Sequence, residues 1–289
     1  MIHRLKIYLE LIRPFTLIAP IVGFLSGSII ASGAIPDIYC LIGALSAAIL
    51  NAASNANNQY FDLEIDKINK PFRPLPSGRI SKKKAIIFAF VLYFSALILA
   101  WLINLQLFFI VLVTAIITFF YSAPPFRIKK YPFISNIFIA LPRGMFLIIA
   151  GWSTVKPIFN IQPWFIGLIF ALYLMGAATT KDFSDIRGDN QFGIKTLPVL
   201  YGPEKAAKII SPFLYIPFLF IPLGVGAKII KLTTLPLTLL FIWGLYTAKL
   251  ITKEPQELAL EKNHISWKHM YLMLIVGQIG FAIAYFIKI

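Results

Sequence analysis

"NQYFDLEIDKINKPFRPLPSG", residues 58–78, places three carboxylates (Asp62, Glu64, Asp66), two lysines and an arginine in one short stretch, with Arg79 immediately after it. Long apolar runs flank it on both sides, so it reads as a loop joining two apolar helices, and its charge needs a reason of its own. On a helix continuing from the preceding run, Asn55, Asn58, Asp62 and Asp66 are spaced 3, 4 and 4 apart and stack on one face, while Glu64 points elsewhere. Pro71, Pro74 and Pro76 cannot continue that helix, so "NKPFRPLPSG" reads as irregular.

The surrounding chain sets the class. Of 289 residues, 58% are hydrophobic and only 13% charged, with a mean hydropathy of +0.79, far outside the range of a soluble domain. A bilayer core needs about 20 apolar residues per helix. Nine runs qualify, near 15–32, 38–56, 85–104, 106–121, 133–152, 163–180, 209–227, 234–251 and 269–287, with a tight helical hairpin at Asn104. The expected fold is an all-α integral membrane protein: one bundle of about nine transmembrane helices with a central cavity capped by cytoplasmic loops. Residues 1–289 form one polytopic membrane domain in this reading, and the first run, with no small-residue cleavage site after it, is a retained helix.

A formal charge of +15 would point to nucleic acid in a soluble protein. Here it follows topology. With the amino terminus inside, all but five of the 27 Lys and Arg fall on one side: Lys156, Lys228, Lys231 and Lys288 lie opposite, and Arg143 lies within the fifth run. The positive-inside rule makes the charged side and the N-terminus cytoplasmic, in the cell membrane, and leaves nucleic acid without a role. One cysteine, Cys40, allows no internal disulfide, and His3, His264 and His269 are too scattered for a zinc site.

Acid is concentrated too. Seven of the twelve Asp and Glu sit in the inner loops after the second and sixth runs: Asp62, Glu64, Asp66, Asp182, Asp185, Asp189 and Glu204. In "KDFSDIRGDNQFGIKTLP", Asp182, Asp185 and Asp189 repeat the 3 and 4 spacing, provided the helix stays regular to that point, so each half of the chain carries an acidic stripe at a helix end. Stacked carboxylates at a membrane mouth repel and are costly to desolvate, so a cation belongs between them. Oxygen-only ligands from Asp and Asn favour Mg²⁺, which shares its coordination with phosphate oxygens. The interleaved Lys67, Lys70, Arg73, Arg79, Lys181, Arg187 and Lys195 suit those oxygens. The bland alternative is a pair of solvated interfacial loops whose charges merely pair with one another and with headgroups; two matched stripes argue against it.

A diphosphate clamp beside a hydrocarbon-filled bundle fits a polyprenyl diphosphate, whose C1–O bond ionises to an allylic cation. The residues resemble the UbiA superfamily of intramembrane prenyltransferases over most of the chain. Asn58, Asp62 and Asp66 match its Asn-x-x-x-Asp-x-x-x-Asp motif; Asp182, Asp185 and Asp189 running into "GIKTLP" match its second; "YSAPPFRIKK" (121–130) is similar to its Tyr-Ser-x-Pro-Pro segment; and "LIRPFT" around Arg13 resembles its usual entry to the first helix. The resemblance implies that Asp62, Asp66, Asp182 and Asp185 or Asp189 hold Mg²⁺ with support from Asn58. It further implies that Arg73 and Lys129 meet the diphosphate and that Tyr121 stabilises the C1 cation or the leaving group, although an interfacial anchor is an equal reading of that tyrosine.

Arg13, Asn55, Lys67, Lys70, Lys181 and Lys195 join the substrate-binding candidates. Arg143, in "ALPRGMFLIIAGW", either faces the substrate or an ion pair inside the bundle or snorkels to the surface. Gln59 departs from the family, many members of which carry Asp there, but it lies off the acidic face. Within the family the pattern is most similar to members that add a second geranylgeranyl group to geranylgeranylglyceryl phosphate in archaeal ether-lipid synthesis. That phosphorylated, lipid-like acceptor needs a second anion site, for which Lys70, Arg79, Lys195 and Lys205 are available. Members acting on aromatic acceptors of quinone, chlorophyll or haem synthesis remain an alternative, and a cation-coupled transporter a remote one.

Overall fold

A computed structural model describes residues 2–260 and 264–287; Lys288, one of the outer-side lysines, lies outside them. Among the described residues there is no strand, and nine helical segments are long and apolar enough to cross a membrane: Pro14–Ser32, Ile38–Phe61, Lys82–Trp101, Leu105–Ser122, Ile134–Ser153, Ile161–Phe183, Leu197–Gly226, Leu232–Lys253 and Ile265–Phe286. They are spans 1 to 9 below. The hairpin at Asn104 is present, its side chain capping span 4 through the Leu107 amide at 2.8 Å.

Two apolar clusters organise the bundle. One joins spans 1 to 5 through Phe24, Ala53, Tyr93, Leu107 and Leu147; the other joins the later spans around Trp152, Phe170, Tyr173, Phe218 and Phe281. Spans 1 and 5 cross where both clusters meet, and only a glycine fits there: a Cβ on Gly151 would stand 1.8 Å from the Phe24 carbonyl oxygen.

Three elements differ from the hydropathy reading, each for a local reason. A helix, Ile2–Ile12, precedes span 1; at about three turns it is too short to cross a bilayer, and its Ile7 and Leu11 pack with Ala56, Leu63, Ile80 and Ala85. Span 7 begins at Leu197, well before the apolar run, and bends at Gly202 (φ 73) and again in the short 3-10 turns Ser211–Leu214 and Ile216–Leu219, which begin at or next to prolines. Span 5 contains a π-turn over Leu141–Met145 that includes Pro142 and holds Arg143. The expected central cavity is not shown; Lys70 of the first inner loop meets Asp185 of the second.

Candidate active site

Both acidic stripes sit where a helix breaks. The helix of span 2 ends at Phe61, Asp62 leaves helical geometry (φ −100, ψ 14), and a short helix continues over Leu63–Asn69. The second stripe is less regular than its spacing suggests. The helix Ile161–Ala177 gives way to one turn over Thr180–Phe183, Asp185 leaves helical geometry (φ −106, ψ 0), and a last helix covers Ile186–Gln191. Asp182 therefore lies in the final turn of span 6, and the row bends at Asp185.

The two breaks are clasped together. Asn69 donates from Nδ2 to the Asp185 carbonyl at 3.0 Å and accepts at Oδ1 from the Gly188 amide at 2.9 Å. A Cβ on Gly188 would come within 2.5 Å of Asn69 Nδ2 and displace that amide from the clasp. Lys70 Nζ bonds both carboxylate oxygens of Asp185. The first loop thus reaches across to the second through adjacent residues.

Within the first row, Asp62 is 6% exposed, accepts from Lys129 Nζ on Oδ1 and from Asn58 Nδ2 on Oδ2 at 2.6 Å, and has the Arg127 guanidinium as an ion-pair partner at 3.6 Å. Asp66 accepts from Arg73 Nη1 at 2.6 Å, yet burial outweighs that cation and holds its carboxyl above the ordinary range. In the second row only Asp185 has an ion pair among the described residues. Asp182 and Asp189 carry no side-chain partner there, and burial, then Asp185, with Asp62 adding a smaller share, push the Asp189 carboxyl up to about 7. Asp62 from one loop is therefore within electrostatic reach of Asp189 from the other. No three carboxylate or imidazole groups among the described residues already form a closed metal set.

The Tyr121 hydroxyl is within electrostatic reach of both rows, of Asp182 and Asp189 from one and Asp62 from the other, and of Arg143. Beside it is a second set of cations. Arg13, Arg143 and Lys181 have no hydrogen bond or ion pair from their side chains among the described residues, and Lys181 feels Arg13, Arg143, Lys70 and Arg73. Burial, Arg73 and Arg143 lower the Arg13 guanidinium to about 10, still cationic at neutral pH. Asn136, one face with Arg143, bonds the Thr179 hydroxyl and so ties span 5 to span 6.

Other candidates are elsewhere. Asn55 turns its amide away from the acidic face, to the Ile12 carbonyl and the Thr16 hydroxyl, both at 2.8 Å. Lys67 is half exposed and pairs with Glu64 at 2.9 Å; Lys195 is exposed. Of the proposed second anion set, Lys70 is bound to Asp185, Arg79 pairs with Glu10 at 2.6 Å, and Lys205 lies over the Tyr201 ring. Asn69, Gly188 and Arg127 are the site residues that sequence reading missed. Only Arg127 carried a signal, as the cation next to Lys129 in "YSAPPFRIKK".

A family model, UbiA prenyltransferase family, matches residues 20–275. The chain belongs to this family. It is a membrane prenyltransferase, and the UbiA fold accounts for its nine spans. Digeranylgeranylglyceryl phosphate synthase of Thermococcus kodakarensis is 33% identical over 283 residues, 94% of this chain and 96% of that one. A solved structure of a digeranylgeranylglyceryl phosphate synthase has a TM-score of 0.74 and 30% sequence identity, covering 98% of this chain and 99% of that one. A UbiA homolog from Archaeoglobus fulgidus, bound to GPP and Mg²⁺, shares the fold at a TM-score of 0.77 and 23% identity, with 97% of this chain and 99% of that one covered.

Proposed function

We propose that the chain transfers a geranylgeranyl group from geranylgeranyl diphosphate to the free hydroxyl of geranylgeranylglyceryl phosphate, yielding digeranylgeranylglyceryl phosphate and diphosphate in archaeal ether-lipid synthesis. The observation that carries this reading is the presence of two sets of cations, one bonded to carboxylates and one not. Lys70, Arg73, Arg127 and Lys129 are engaged with the Asp rows; they belong to the diphosphate end. Arg13, Arg143 and Lys181 make no hydrogen bond or ion pair to a carboxylate among the described residues, although Asp66 and Asp185 are within electrostatic reach of Arg13. An acceptor carrying a phosphate supplies the missing anion. The synthases named above support the same substrates.

The donor set fits Mg²⁺. Its oxygens are hard, Asp182 and Asp189 make no ion pair among the described residues, and burial with Asp185 leaves Asp189 protonated through much of the acid range. Asp62 and Asp66 with Asn58, and Asp182, Asp185 and Asp189, would hold the ions. Bound there, Mg²⁺ neutralises charge building on the departing diphosphate.

The protein's own groups divide the remaining work. Arg73 and Lys129 meet the diphosphate oxygens, and Lys70, bonded to Asp185, is the further cation at that end; Asp185 would be among the residues that hold the metal. As the C1–O bond opens, the Tyr121 ring and hydroxyl face the allylic cation and the leaving oxygen. Arg13, Arg143 and Lys181 hold the acceptor phosphate and so set its glycerol hydroxyl toward C1. A hydroxyl that has begun bonding to carbon is strongly acidic, and a site carboxylate or the released diphosphate takes its proton. The loops and the N-terminus lie on the cytoplasmic side of the cell membrane, as the positive charge of the inner loops argues, and residues 1–289 act as one membrane domain.

Purified membranes are incubated with geranylgeranyl diphosphate and, in turn, geranylgeranylglyceryl phosphate and aromatic acceptors, and products are read by mass spectrometry. The proposal requires the doubly alkylated glyceryl phosphate; product from an aromatic acceptor alone rejects it.

A further inference from the structure

Asn51, Asn55 and Gln59 stand four residues apart on span 2, and all three aim their amide donors at the main chain on either side of Arg13. Gln59 Nε2 donates to the Leu11 carbonyl at 2.7 Å, and Asn55 Nδ2 to the Ile12 carbonyl and Thr16 Oγ1, both at 2.8 Å. Asn51 Nδ2 donates to the Thr16 carbonyl at 3.0 Å, and Thr16 Oγ1 donates to the Arg13 carbonyl at 2.8 Å. With Asn51 Nδ2 also donating to Thr16 Oγ1 at 3.4 Å, five bonds from the three amides converge on the segment Leu11–Thr16. Asn55 and Gln59 are 5% and 1% exposed, so water does not replace these partners.

Arg13 at the centre of this ladder is left-handed, with φ 56 and ψ 72. A residue with a side chain holds that conformation only when its surroundings impose it, and Pro14 narrows its choices further. The same residue joins the N-terminal helix to span 1, and its guanidinium lies within reach of Arg143, while Lys181 feels both. Three cations this close repel, with Asp66 and Asp185 offsetting only part of that at Arg13, and the Arg13 backbone joint is where the repulsion would be relieved.

We propose that the Asn51–Asn55–Gln59 ladder is a positioning device: it fixes the left-handed joint so that Arg13 stays beside Arg143 and Lys181, ready for the acceptor phosphate. This rests on the acceptor assignment above. It also gives Gln59 a role that an ionised Asp, having no N–H to offer Leu11, does not fill.

The test is steady-state kinetics of the full chain with geranylgeranyl diphosphate and geranylgeranylglyceryl phosphate. Asn55→Leu raises the acceptor KM about tenfold or more and leaves the donor KM within about twofold. Gln59→Met, one turn away and less central, moves the acceptor KM the same way by less. In an Arg13→Gln background, Asn55→Leu adds nothing further, which a purely structural role would not predict. Should Asn55→Leu fail to fold, Gln59→Met alone and in the Arg13→Gln background decides. An unchanged acceptor KM, or an effect that persists in full without Arg13, overturns the ladder. No turnover of this acceptor by the unmodified chain overturns the acceptor assignment, and the inference with it.

Discussion

The two acidic rows share a spacing and a bend but handle charge in opposite ways. Asp62 and Asp66 stand four residues apart after a break at Asp62; Asp185 and Asp189 stand four apart after a break at Asp185. In the first row each carboxylate is matched by cations from elsewhere, Lys129, Arg127 and Arg73. In the second, Lys70 serves Asp185, while Asp189 and its neighbour Asp182 have no partner among the described residues. Desolvating a carboxylate costs several kcal/mol unless a charge or hydrogen bonds offset it. Asp62 in the first row and Asp185 in the second are thus part of what holds the inner loops together, whereas Asp189 is held in a state that folding alone does not favour. Its deficit is the measure of what a bound cation contributes.

The largest expected effects come from the second row. Asp182→Asn or Asp189→Asn lowers turnover about a thousandfold, the scale of losing a preorganised electrostatic group, while the melting temperature of the metal-free protein stays level or rises. Kinetics beside a thermal melt checks both halves, and a melt lowered as far as in the first row would erase the contrast. Asp62→Asn lowers turnover comparably but also lowers the melting temperature, because it strands Lys129; breaking a buried pair on one side costs about 3–5 kcal/mol. Adding Lys129→Met then restores the melt and not the activity.

A pH series sharpens the comparison with a smaller effect. Asp189 binds its proton more tightly in the folded chain, at about 7 against an ordinary 3.8. Its contribution to stability is therefore full below pH about 4 and is lost as pH rises through about 7. In a chelator, the melting temperature falls across that window and then levels; Asp189→Asn or saturating Mg²⁺ flattens the curve. The smallest effect belongs to Glu64, the third acid of the opening stretch, which pairs with Lys67 at 2.9 Å in an exposed position. Glu64→Gln changes turnover by less than about twofold, as exposed pairs contribute little.

The sequence disclosed what depends on composition and spacing. Nine spans were legible because each is apolar for the full width of a bilayer, and the Asp rows because 3 and 4 spacings recur at two helix ends. What it hid depends on tertiary contact. Asn69 looks like any polar residue before a proline-rich turn, and only the fold brings it to Gly188, 119 positions away. The helix Ile2–Ile12 has apolar residues on more than one side, with Leu5 and Leu9 exposed and Ile7 and Leu11 buried, so no stripe marked it. Asn55 shares the acidic face by spacing, but the joint at Arg13 lies closer to its amide than the carboxylates do. The cations that make no ion pair among the described residues, Arg13, Arg143 and Lys181, stand at span ends and in the π-turn, away from the loop lysines to which the sequence points, and for Arg143 the sequence offers two readings.

The central claim is that both rows serve one cation-held diphosphate. It is tested most directly by a double-mutant cycle on Mg²⁺-dependent binding of an unreactive geranylgeranyl thiolodiphosphate, measured by calorimetry for the unmodified chain, Asp66→Asn, Asp189→Asn and the pair. The account predicts that each single change weakens binding strongly and that the pair is little weaker than the worse single. Losses that simply add, or an Asp189→Asn protein that binds the analogue as tightly as the unmodified chain, would contradict it.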